Sequence, residues 1–341
     1  METMLATVMP QPGAPWEVRE IPMPRPGPGQ VLVKVHASGI CVNDVLASRG
    51  ALPFATASPA VPGHEPVGEV VEAGAGVTAR TVGDRVGVPW VQGGCGRCAY
   101  CRRNLPVSGQ LALNCAAPVT TGFAAQGGLA EYVVALAAGT VLLPDGLPYE
   151  QAAPMMCAGY TAWSALRAAE PRPLERVAVL GIGAIGHLAL QFARTCGFET
   201  VAVTGSSDKR DAATRLGADL VVADGAELRD AGGADVVLAT TPSYEAASDS
   251  LRGLRTDGRL VVSGFARGAA FDLAPARPFF TQRHRVIGST HGPVAHLTEA
   301  LDLAAAGRCA AVTEVFTADA VAKAAERVGA GEVRFRAVVT Y

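Results

Sequence analysis

The 341-residue chain is 49% hydrophobic and 18% charged, which leaves room for two domains with substantial cores and argues against wholesale disorder. Its 29 basic and 31 acidic side chains give a formal net charge of −2, and no basic block is longer than Arg102-Arg103 or Lys209-Arg210. Neither a nucleic acid nor an anionic membrane is therefore expected as a partner.

In chain order, METMLATVMPQPGAPWEV lacks a positive segment leading into an apolar core, so it does not read as a signal peptide and a cytoplasmic protein is expected. Residues 1 to about 35 read as strands joined by the Pro/Gly-rich turn PMPRPGPGQ, with VLVKVHASGI (31–40) alternating as a half-buried strand does. GEVVEAG and VGDRVGVPW continue that texture, and AEYVVAL (130–136) adds another strand. Short strands punctuated by glycine and proline predict a small, distorted β-barrel.

From residue 150 the texture changes. EQAAPMMCAGYTAWSALRAA (150–169) reads as helix, VAVLGIG (177–183) as a buried strand, and AIGHLALQFARTCG (184–197) again as helix. ETVAVTG, ADLVVAD, ADVVLAT and GRLVVSG then alternate with helical stretches, the pattern of a doubly wound parallel sheet. The longest apolar run, 177–193, holds three glycines and a histidine and suits strand, turn and helix better than a membrane span. VRFRAVVTY (333–341) resembles the early strands and is placed back in the first domain.

Gly181-x-Gly183-x-x-Gly186, spanning Ala184 and Ile185, follows a strand and opens a helix. Such a turn lets backbone approach a pyrophosphate at a helix N-terminus, and it predicts dinucleotide binding. The next strand ends at Thr204-Gly205 with no carboxylate in the place where NAD readers carry one for the ribose hydroxyls. Thr204, Ser206, Ser207, Lys209 and Arg210 suit a 2′-phosphate instead, so NADP(H) is preferred. The competing reading makes Lys209 and Arg210 a solvated helix start.

Eight cysteines without a secretory signal favour metal over disulfides. Cys95, Cys98 and Cys101, with Cys115 after thirteen intervening residues, supply four thiolates for a closed tetrahedral zinc site that holds a loop with little core of its own. Cys41, His64 and Cys157 offer two sulfurs and a nitrogen, leaving a fourth position open, as a catalytic zinc requires. A lone buried cysteine is more often a small hydrophobe, and a lone histidine is more often structural.

The motifs in combination resemble the zinc-dependent alcohol dehydrogenase family of medium-chain dehydrogenases/reductases over essentially the whole length. They are G-I-C-x-x-D, P-G-H-E-x-x-G, C-x2-C-x2-C, C-A-G-x-T, G-x-G-x-x-G and V-I-G-S. The Thr204-to-Lys209 stretch is most similar to NADP-using cinnamyl-alcohol-type members. The resemblance implies an α/β fold with a GroES-like catalytic domain over residues 1–150, to which 286–341 return, and a Rossmann NADP(H)-binding domain over 151–285. It also implies two zinc ions per chain and a homodimer or homotetramer.

Within the site, the resemblance implies that Asp44 orients His64, that Glu65 lies near the metal, and that zinc acts as a Lewis acid while the nicotinamide delivers hydride. Further cofactor contacts are implied at Thr161, Gly264, Ser289 and Arg336. Val42, Asn43, Leu46, Phe54, Trp90, Phe123 and Met156 are nominated to face a small apolar or aromatic substrate, with ordinary core packing as the alternative for each.

The chain departs from the family in its proton route. Asn43 stands where Thr or Ser usually passes the proton, and Leu46 where many members carry histidine. An amide donates a hydrogen bond but does not shuttle a proton as a hydroxyl does. The stretch from Val42 to Gly50 resembles instead the zinc-free quinone-oxidoreductase branch, which lacks the ligands kept here. Two milder departures are an insertion near Val107–Leu113 and Phe335 in place of glycine. Three functions follow for test: an alcohol dehydrogenase/carbonyl reductase, an NADPH-dependent reductase of a conjugated C=C or C=N bond, and a non-catalytic NADPH- or zinc-binding protein.

Overall fold

The computed structural model describes residues 2–52, 60–104, 109–264, 270–273 and 276–341. The chain divides into two compact units. One comprises Met1–Cys157, Pro293–Ala305 and Ala311–Tyr341, and the other Ala158–Gly292 with Ala306–Ala310. No helix among the described residues is long and apolar enough to cross a membrane.

The first unit is built on the strand Gln30–Ile40. It pairs antiparallel with Glu65–Ala73, Tyr132–Leu136 and the C-terminal strand Arg336–Thr340. Among the described residues these belong to a seven-stranded sheet that continues through Arg85–Gly87 to Val141–Leu142 on one side and Thr313–Thr317 on the other. Two register shifts against Glu65–Ala73 give the long strand the extra local twist that bulges produce. Val31, Val33 and Val35 pack with Val70, Val86, Val88 and Val133 in one core. Ile40, at the strand's far end, enters a second core with Val45, Val321, Ala324 and Val339. Burial of these β-branched side chains, about 1.5–3 kcal/mol each, fixes the strand end from which the short helix Val42–Ser48 departs.

Among the described residues, the second unit holds a six-stranded parallel sheet. Its order is Leu220–Val222, Glu199–Val203, Arg176–Leu180, Ala234–Ala239, Leu254–Val262, Arg285–Gly288. The first strand in sequence lies third, so chain order reverses between Arg176–Leu180 and Ala234–Ala239, the switch point where open α/β sheets bind ligands. Helices such as Gly186–Thr195 and Ser207–Arg215 connect the strands. The apolar run Val177–Leu180 is buried throughout, as expected for a strand covered on both faces. The architecture is thus the α/β pair of a GroES-like domain and a Rossmann-type parallel sheet.

One helical expectation needs correction. Residues 150–169 do not form one helix: Tyr149–Ala152 is followed by a 3-10 turn over Ala153–Met156, and the second helix starts at Ala158. Pro154 lies in the first positions of the 3-10 turn, and Cys157 at its end has φ −129° and ψ −72°. Proline supplies no backbone N–H and clashes with a continuing α-helix, which accounts for the break.

Candidate metal centre and cofactor-binding turn

Cys41 caps the N-terminus of the helix Val42–Ser48. Its backbone N–H donates to Asp44 Oδ2 at 2.9 Å. The other carboxylate oxygen, Oδ1, accepts from His64 Nδ1 at 2.7 Å and from Gly63 N–H at 3.3 Å. One buried carboxylate therefore ties together two ligand-bearing segments separated by twenty residues. Nδ1 is engaged with Asp44, which leaves His64 Nε2 for a metal.

Cys41, His64, Glu65 and Cys157 each present a ligand atom, and these atoms lie within 4.8 Å of one another. Cys157 reaches the group from the break between the 3-10 turn and the next helix. A hydrogen bond from Cys157, aided by His64 and opposed by burial, holds the Cys41 thiol well below its ordinary range; Cys157 is pushed up correspondingly. Burial lowers the His64 pKa, but the Asp44 carboxylate outweighs it and raises the value well above the usual one. The buried Cys41 sulfur and the half-buried Cys157 sulfur, beside an oriented imidazole, are a donor set that fits a divalent cation.

Glu65 is fully buried, and burial raises its pKa to about 7 despite the opposing Arg336 charge. Arg336 Nη2 donates to both its carboxylate oxygens, and Glu65 Oε1 lies 3.8 Å from His64 Nε2. Arg336, nominated for cofactor contact, is thus placed on Glu65 from 271 residues away. Gly39 makes this possible: a Cβ there would lie 2.0 Å from Glu65 Oε2. Sequence reasoning included neither the Glu65–Arg336 pair nor this use of Gly39, although the strand pairings Gly39↔Glu65 and Ala337↔Ile40 bring all three together.

Trp90 and Phe123 pack on His64, with ring centroids 6.3 and 5.5 Å from the imidazole and 5.9 Å from each other. Asn43 and Leu46 are half-buried on the helix that follows Cys41, and Val42 is exposed. Met156 is fully buried, as Phe123 is, with its sulfur 2.3 Å from where a Gly87 Cβ would stand. Its packing matches the core alternative weighed for it. Phe54 lies outside the described residues.

The second cluster brings the sulfurs of Cys95, Cys98, Cys101 and Cys115 within 4.8 Å of one another. Backbone N–H groups donate to these sulfurs: Cys95 N and Ala117 N to Cys115 Sγ at 3.1 and 3.3 Å, and Cys101 N to Cys98 Sγ at 3.4 Å. Backbone donors from Ala116 and Cys101 draw the Cys98 pKa down to about 6. N–H donors that stabilise thiolates around a four-sulfur group fit a closed zinc site.

In the second unit, Gly181 follows the strand Arg176–Leu180 with φ +88°, and a Cβ on Gly186 would lie 1.9 Å from Gly181 O. Thr240, at the end of the neighbouring strand, donates its hydroxyl to Gly181 O at 2.7 Å. A Cβ on Gly183 would meet no protein atom within 4 Å. The first and third glycines are thus needed by the turn itself, whereas the second leaves backbone accessible, as a pyrophosphate requires. Thr204 is buried and accepts from Ser206 N–H at 3.3 Å. Ser206 bonds Asp208, Ser207 is exposed, and Lys209 and Arg210 are half-buried on the helix Ser207–Arg215. Thr161 is buried on Ala158–Ala169, Ser289 N–H donates to Val262 O, and Gly264 packs against the Thr241 carbonyl.

Family models match the chain as an alcohol dehydrogenase GroES-like domain over residues 27–145 and a zinc-binding dehydrogenase over 184–306. An alcohol dehydrogenase of Geobacillus stearothermophilus is 37% identical over 344 residues, covering 98% of this chain and 99% of that protein. The chain belongs to the zinc-binding alcohol dehydrogenase family. Solved members of this family are similar throughout. A cobalt- and zinc-bound thermostable alcohol dehydrogenase from Pyrobaculum aerophilum has a TM-score of 0.86 at 32% identity, covering 100% of both chains. A cinnamyl alcohol dehydrogenase from Sorghum bicolor has a TM-score of 0.87 at 30% identity, covering 99% of this chain and 98% of that one. As a member of the zinc-binding alcohol dehydrogenase family, the protein is a zinc-dependent oxidoreductase.

Proposed function

We propose that the protein transfers hydride between NADP(H) and an alcohol or carbonyl substrate, as a cytoplasmic homodimer or homotetramer. Cys41, His64 and Cys157 would hold a catalytic zinc, and the four-cysteine cluster a structural one. The observation that carries this reading is the convergence of Cys41, His64 and Cys157 within 4.8 Å, with His64 oriented by Asp44. The first unit would be the catalytic domain and the second the NADP(H)-binding domain.

Zinc in this donor set supplies Lewis-acid polarisation of a substrate oxygen, and a bound nicotinamide supplies or accepts the hydride. The chain's own residues prepare for this. Asp44 fixes the His64 tautomer, Arg336 neutralises Glu65, and Asn43 can donate a hydrogen bond but does not relay a proton. The Trp90–Phe123 corner beside His64 favours an apolar or aromatic substrate. Absence of a carboxylate at the end of Glu199–Val203, with Lys209 and Arg210 just beyond, supports NADP(H) over NAD(H).

Asn43 is the specific observation that favours a second reading, reduction of a conjugated C=C or C=N bond. Product analysis with cinnamaldehyde and NADPH separates the carbonyl and C=C outcomes in one tube. Cinnamyl alcohol is the product expected here. Formation of 3-phenylpropanal alone would transfer the assignment to C=C reduction.

A further inference from the structure

Trp90 and Phe123 lie just beyond the same end of a short two-stranded ribbon, Val91–Gly93 paired antiparallel with Val119–Thr120, where Val91 stands opposite Thr120. The backbone around both rings is tied to one buried hydroxyl. Thr121 Oγ1 donates to Pro89 O at 2.8 Å and accepts from Gln92 Nε2 at 2.9 Å. Thr121 N–H donates to Trp90 O at 2.8 Å, and Gln92 Oε1 accepts from Leu136 N–H at 2.8 Å. Both side chains are buried. The next residue, Gly122, has φ +75° and lies so close to Gly63 that an added Cβ would be 3.1 Å from its carbonyl carbon and oxygen. The clasp thus links residues on both sides of Trp90, the backbone leading to Phe123, and the segment that carries His64.

We propose that Thr121 is a positioning residue. Through Gln92 and the Pro89 carbonyl it holds the Trp90–Phe123 corner at fixed distance from His64, and so sets the fit of aromatic substrates. This rests on the reading that the corner faces substrate. A hydroxyl that both donates and accepts in a buried site is costly to replace with a methyl group, because Pro89 O and Gln92 Nε2 each lose a partner. The corner would then relax by fractions of an ångström without loss of either ring.

The chain contains three tryptophans, so the test labels the full-length protein with 5-fluorotryptophan and assigns the Trp90 19F resonance with Trp90→Phe. Thr121→Val is expected to shift or broaden the Trp90 resonance while leaving the other two in place. With NADPH, it should raise KM for benzaldehyde about tenfold, leave KM for acetaldehyde and both kcat values little changed, and be rescued by Thr121→Ser. An unmoved Trp90 resonance, a shift of all three resonances alike, or equal KM changes for the two aldehydes would overturn the proposal. If the wild type reduced neither aldehyde, the carbonyl-reductase reading would fail, and the resonances alone would decide for or against the positioning role.

Discussion

Asp44 accepts a 2.7 Å hydrogen bond from His64 Nδ1 with one oxygen, and with the other it accepts the backbone N–H of Cys41. The same carboxylate thereby orients one proposed ligand and anchors the segment of another. Asp44→Asn replaces an acceptor with an amide that cannot serve all these donors. The expected result is zinc affinity at the Cys41 site about 10- to 100-fold weaker, read by chelator competition, with the four-cysteine cluster unaffected.

Gly183 and Gly186 should respond differently to the same methyl group. Gly186→Ala puts a Cβ 1.9 Å from Gly181 O and should lower thermal stability, because a backbone contact cannot move aside cheaply. Gly183→Ala meets no protein atom within 4 Å. It should melt like the wild type yet bind NADPH more weakly, as measured by fluorescence titration.

Cys115→Ser tests whether Cys115 closes the structural site. Its sulfur accepts from Cys95 N–H and Ala117 N–H, so the variant should lose about one zinc per chain and melt at lower temperature. Elemental analysis that finds the zinc content unchanged would remove Cys115 from the ligand set.

Glu175 pairs with the buried Arg259, which holds its carboxyl below the ordinary value of 4.5. A depressed folded-state pKa means the stabilisation is complete above about 4.5 and lost as pH falls through the lower folded value. Glu175→Gln should cost about 1.5–3 kcal/mol at neutral pH, the range for hydrogen bonds to charged groups. Denaturation curves for wild type and variant should converge as the pH is lowered below 4.

Much of the site was legible in the sequence because its chemistry sits in short local contexts. Cys41 with Asp44, Pro62-Gly63-His64-Glu65 and the glycine turn each carry their meaning within six residues. What could not be read depends on strand register. Arg336 reaches Glu65 only because the C-terminal strand lies beside Gln30–Ile40, which in turn lies beside Glu65–Ala73. Met156 and Cys157 are neighbours in a stretch that reads as one helix, yet past the Pro154 turn Met156 is fully buried while Cys157 joins Cys41, His64 and Glu65. Periodicity alone carries no mark of that separation. The parallel sheet was more visible, since its central strands Arg176–Leu180, Glu199–Val203 and Ala234–Ala239 are largely buried and read as near-continuous apolar runs.

Hydride transfer to a carbonyl is expected to depend on the zinc that Cys41, His64 and Cys157 would hold. That dependence is tested most directly by NADPH oxidation with benzaldehyde, comparing wild type and Cys157→Ala at known zinc content. Zinc-dependent turnover is expected of the wild type. The variant should keep the four-cysteine zinc and its NADPH affinity but lose turnover by a factor on the order of 10³, reflecting several kcal/mol of lost transition-state stabilisation. Equal turnover by the two proteins, or a fully zinc-loaded wild type that leaves benzaldehyde untouched, would contradict it.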